Sequence, residues 1–128
     1  MEATMIRTNK NFSRVSDIID SLTINPNPDA VGVLEEIGTN SSIDEVRELT
    51  SKALVKRNEF DSLSVVITNR GKGINDLSTV VAMSTINELL SLEDKEVAMS
   101  VLESTISGEY DEEVKENARS VKALMALS

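Results

Sequence analysis

Ser42-Ile-Asp-Glu-Val-Arg-Glu-Leu-Thr-Ser-Lys-Ala-Leu-Val-Lys-Arg57 decides the fold class. Val46, Leu49 and Ala53 recur at spacings of three and four, the period of a helix that buries one face. Ser42 followed three residues later by Glu45 reads as a capping box, each side chain positioned to satisfy a free backbone N–H at the helix start.

The same reading extends in both directions. Upstream, Val15, Ile18, Ile19 and Leu22 line one helix face from Ser13 onward, and Asn25-Pro26-Asn27-Pro28 stops it, because a residue before proline is pushed out of the α region. Asn27 can then cap a helix whose first residue is Pro28, with Val31, Leu34 and Ile37 inward and Gly38 at its end. Downstream, Phe60, Leu63, Val66 and Ile67 form a shorter helix ending near Asn69-Arg70-Gly71. The β-branched run at 64–68 has strand propensity, but its helical spacing and helical neighbours favour helix. Asn75 is positioned to cap the next, with Leu77, Val80, Val81 and Leu90 inward. Ser91 to Asp94 repeats the capping pattern before Val97, Val101 and Leu102, and that helix stops at Gly108. Tyr110 or Asp111 starts the last, with Val114, Ala118, Val121 and Leu124 inside. The expectation is an all-α fold of six or seven short amphipathic helices in antiparallel pairs. Residues 1–12 form a flexible N-terminus and 13–128 a single helical domain. The buried set should include Ile19, Leu34, Val46, Leu49, Leu63, Val80, Val97, Val101, Val114, Ala118 and Leu124.

A longer period overlies the helical one. Val46, Leu63, Val80, Val97 and Val114 are spaced by 17 residues, so one antiparallel helix pair occupies about 34, the length class of two-helix solenoid repeats. Asp111-Glu-Glu-Val-Lys-Glu-Asn-Ala118 resembles the second helix of a HEAT-like repeat: an acidic start, then Val, a basic residue and small apolar positions. Glu45-Val46-Arg47 with Ala53-Leu54, and Asp94-Lys-Glu-Val97, are similar. The resemblance spans about residues 28–127 and implies a HEAT/armadillo-like α-solenoid serving as a protein–protein scaffold. It departs from the pattern at Lys122, where leucine is usual, and at Asn117, where a small apolar residue is common. The alternative is an irregular helical bundle.

Composition narrows function. The chain of 128 residues contains no His, Cys or Trp, which excludes thiol nucleophiles, Ser–His–Asp and Cys–His dyads, Cys/His zinc sites and disulfides. Aromatics make up 2%, so Val, Ile, Leu, Ala and Met must build the core. A net charge of −9 sets the long-range field against duplex nucleic acid and anionic membranes. No apolar run has the length of a membrane span, and the polar N-terminus carries no signal-peptide pattern. The cytoplasm is the expected location.

Candidate sites are few. Asn25, Asn27, Asp29 and Glu36 mimic the oxygen-ligand spacing of a calcium loop, but Ala30 stands where glycine is required and two prolines interrupt it. Arg70-Gly71-Lys72-Gly73 resembles a phosphate-cradling loop but lacks the Ser or Thr that follows a Walker lysine. Carboxylate pairs such as Glu35/Glu36 and Glu112/Glu113 are neighbours in sequence and do not face each other on a helix. No catalytic, cofactor or metal residue is expected. What remains is charge segregation: Arg47 to Lys72 is net +3, whereas Glu93 to Glu116 is net −7. Lys52 and Lys56 share a helix face, Arg57 broadens it, and Arg70 and Lys72 can reach it from the next hairpin. These five are the candidate partner-binding residues, suited to an acidic segment of a protein partner. The expected function is a non-enzymatic interaction module or adaptor. The alternative is a nucleic-acid-associated regulator using the basic stretch 47–72.

Overall fold

A computed structural model describes the backbone of residues 2–128 and the side chains from residue 13 onward. It holds seven α-helices and no strand among the described residues: α1 Glu2–Ile24, α2 Asp29–Thr39, α3 Asp44–Arg57, α4 Phe60–Thr68, α5 Thr79–Leu90, α6 Glu96–Ser107 and α7 Glu112–Leu127. A short 3₁₀ turn, Gly73–Asn75, interrupts the connection between α4 and α5. The β-branched run at 64–68 is helical because Leu63, Val66 and Ile67 are all fully buried on one face of α4. The backbone of α1 begins upstream of Ser13, and the side chains of 1–12, the expected flexible N-terminus, lie outside the described residues.

Local chemistry places most helix ends, with corrections. Asn25 and Asn27 each accept the N–H two residues on, 2.8 and 2.9 Å away, so each closes a turn over a proline; α2 then starts at Asp29, with Pro28 instead of Asn27 at its N-cap and no side-chain cap. The Ser42–Glu45 capping box does not form. Ser41 Oγ instead accepts from Ile43 N–H at 3.1 Å, and Ile43 precedes the first turn. Asn58 closes α3 in the left-handed conformation that asparagine tolerates. Gly38 does not end α2 but lies buried within it.

Alternate helices are neighbours. α3 packs against α1 on one side and α5 on the other, while α4 packs against α6, and α7 closes the end against α6 and α5. Asp20 and Ile24 of α1 line the same groove as Lys52 and Lys56 of α3. Ser78, at the start of α5, donates to Asp44, at the start of α3. Thus α1, α3 and α5 run in one direction, and α2 and α4 return the chain between them. Leu34, Leu54, Leu63, Ile67, Leu89 and Leu102 are fully buried at the centre.

The expected core holds at Ile19, Leu34, Val46, Leu63, Val101, Val114 and Ala118, all buried. It fails at Val80 and Leu124, which are exposed, and at Leu49 and Val97, which are only partly covered. On α5 the inward residues are Val81, Thr85 and Leu89, one position beyond the 17-residue register. α5 follows the 3₁₀ turn of the α4–α5 connection and is one residue, about 100° around the helix axis, out of that register.

Candidate interaction surface and the buried basic loop

The five candidate cations do not form one patch. The Arg57 side chain is 3% exposed. Its guanidinium donates to the carbonyls of Leu22 and Asn25 at 2.7 and 2.5 Å and pairs with Glu59 at 2.7 Å. It therefore caps the C-terminus of α1, where free carbonyls favour a cation. Arg70 is exposed but ion-paired with Asp111 at 2.7 Å, with Glu113 3.9 Å away.

Lys72 turns inward. Gly71 and Gly73 flank it at φ +72° and +60°, and this left-handed pair lets the extended backbone at Lys72 aim its side chain between α2 and α3. A Cβ at Gly73 would strike the backbone of Val66, so only glycine fits there. Lys72 is 3% exposed, and its Nζ donates to Thr50 Oγ1 at 3.0 Å. Burial, reinforced by the nearby Arg47 charge, pushes its pKa down to about 8 despite the opposing fields of Asp76 and Glu35. Gly38 is explained by the same contact, since a Cβ there would collide with Lys72 Nζ and Thr50 Oγ1. The lysine of this loop is thus engaged with its own protein.

Arg47 organises the rest of this junction. Its guanidinium holds Asp76 Oδ2 through Nε at 3.1 Å and Nη2 at 2.5 Å. It also reaches the carbonyls of Ser41 and Gly71 at 3.1 and 2.5 Å. Asp76 Oδ1 accepts the Ser78 N–H at 2.9 Å, which fixes the entry to α5. Asn75 does not cap α5; its amide donates to the Ile67 carbonyl at 2.8 Å and accepts from Asn117 at 2.9 Å. Asn117, a departure from the HEAT-like pattern, thereby ties α7 to the loop.

Lys52 and Lys56 stay in solvent and form no ion pair with the described residues. They rim an open groove of about 420 Å³ between α1 and α3, floored by Ile19, Leu49 and Ala53. A second groove, of about 280 Å³, separates α3 from α5; Leu49 and Lys52 reach it too, together with Glu45, Glu48, Ser84 and Glu88. Past it, Leu77, Val80 and Met83 are 95, 59 and 51% exposed. The sequence pattern had placed Leu77 and Val80 inside. Nothing local marks them as surface, because α5 carries a single ionic residue, Glu88, and a helix so poor in charge reads as buried.

No group of His, Cys, Asp or Glu among the described residues is arranged to hold a metal ion, and no described helix is long and apolar enough to cross a membrane. In the comparisons with protein-family models, curated proteins and solved structures, nothing matches the chain.

Proposed function

We propose that this chain is a non-enzymatic protein-interaction module, an adaptor built on a short HEAT/armadillo-like stack of helix pairs in a cytoplasmic setting. The observation that carries the reading is the face shared by α1, α3 and α5. Ile24 and Leu49 bring apolar surface to adjoining open grooves, and Val80 and Met83 stand exposed on α5 instead of entering the core, the pattern of a surface that gains by being covered. The common direction of α1, α3 and α5, with α2 and α4 returning the chain between them, supports the solenoid arrangement over an irregular bundle. Lys52 and Lys56 are the two candidate cations still available to a partner, and they suit a carboxylate-bearing segment in the α1/α3 groove. A nucleic-acid-facing role draws no comparable support, because Arg47, Arg57, Arg70 and Lys72 are spent on internal partners or ion pairs.

The test is a photo-crosslinking residue placed at Val80 and, separately, at exposed Ser100 on α6, used in native lysate. A discrete adduct formed from Val80 and not from Ser100 supports the reading. Equal labelling from both positions, or adducts only between copies of this chain, overturns it.

A further inference from the structure

We infer that the exposed Val80–Met83 face of α5, together with Leu77 just ahead of the helix, is the seat of an amphipathic helix from a partner protein, with basic side chains flanking its apolar stripe. The inference rests on the interaction-module reading and specifies the partner. Val80 and Met83, three apart, lie along one side of α5, Leu77 precedes them in the connection, and Ser84 and Glu88 of the same helix line the α3/α5 groove. A second helix meets such a surface ridge into groove, with its own apolar residues at spacings of three and four.

Charge identifies the flanks. Glu45, Glu48 and Glu88 face Lys52 in the α3/α5 groove, an excess of two negative charges, and none of the three carboxylates is in an ion pair among the described residues. On the other side Glu113 lines a small cleft with Leu77 and Arg70. There Asp111, Glu112, Glu113 and Glu116, each ion-paired with Arg70 or Arg119, exceed Arg70, Lys115 and Arg119 by one negative charge. An apolar ridge between two acidic margins complements a helix that carries Lys or Arg on both sides of a Leu or Met stripe. A second copy of the chain, itself at net −9, and an anionic bilayer would both bring negative charge to these margins.

The probe is a synthetic amphipathic peptide of about 18 residues, about 27 Å of helix, with a Leu face and Lys flanks. Its twin carries Glu in place of every Lys. Binding to the full-length protein is followed by fluorescence anisotropy, with shift mapping by NMR. The Lys peptide should bind at least about tenfold more tightly than its twin at low salt, and lose about tenfold on passing from about 50 to about 300 mM salt. Val80→Ser with Met83→Ser, both solvent-facing, should weaken it by at least about tenfold with the unfolding midpoint unchanged. Glu45→Gln, Glu48→Gln and Glu88→Gln together should flatten the salt dependence. Equal binding of both peptides, indifference to the ridge substitutions, or preferential occupation of the ridge by a second copy or by anionic vesicles overturns the inference. If both peptides bind equally while crosslinking from Val80 still yields its discrete adduct, the basic helix fails and the interaction module stands.

Discussion

The α4–α5 connection and the α5 surface are adjacent in sequence and treat their residues in opposite ways. Residues 69–78 carry Lys72 and Asp76 inward, where the ammonium meets Thr50 and the carboxylate meets Arg47. Residues 77–83 carry Leu77, Val80 and Met83 outward. Both outcomes come from one device. Two left-handed glycines and a 3₁₀ turn fold the connection into the gap between α2, α3 and α4, and α5 follows one residue out of the 17-residue register. A polar loop that docks internally therefore leaves an apolar helix face uncovered. The first region holds buried polar contacts and the second exposed apolar side chains.

The largest expected effect breaks the inward half of this contrast. Arg47→Met leaves the Asp76 carboxylate, 3% exposed, and the Gly71 and Ser41 carbonyls without their donor. It should cost about 3–5 kcal/mol, the penalty for removing one partner of a buried pair. Chemical denaturation measures it, and a loss below about 1 kcal/mol would show that the junction does not anchor the loop.

Next comes the Lys72 ammonium. Its folded pKa is pushed down to about 8 from 10.5, so between these values the unfolded chain holds a proton that the folded one has released. Stability should consequently rise as pH increases from about 8 to about 10.5, by an amount on the order of 1–3 kcal/mol. Lys72→Met should remove that rise while keeping the packing of the stem. A wild-type pH profile parallel to that of the variant would refute the buried position of the ammonium.

The smallest effect sharpens the register. Val81 is fully buried and Val80 is 59% exposed, so Val81→Ala should cost about 1–3 kcal/mol. Val80→Ala should stay within about 0.5 kcal/mol. Reversal of the two would restore the strict 17-residue period and place the ridge inside.

Helix content was legible because its signals are local. Prolines at 26 and 28 and the spacing of Leu63, Val66 and Ile67 act within a turn or two of chain. The side chains of Asn25 and Asn27 close their turns within two residues, although Arg57 also holds the turn's carbonyls, whereas the Ser42–Glu45 box does not form and Ser41 accepts the Ile43 N–H instead. The basic patch was misleading for a different reason. Lys52 and Lys56 share a face by helical geometry alone, but the fate of Arg57 depends on carbonyls 32 and 35 residues away, and that of Arg47 on a carboxylate 29 residues on.

By itself the amino-acid sequence determined an all-helical chain, the breaks between most helices and the absence of thiol and imidazole chemistry, because composition and short-range periodicity suffice for each. Which cations are buried, why Gly38 interrupts a helix face and which side of α5 meets solvent were decided only by the tertiary structure. The physical reason is that a charged group can leave water only where distant segments supply its hydrogen-bond partners. The register of a helix is likewise set by the path of the loop that delivers it.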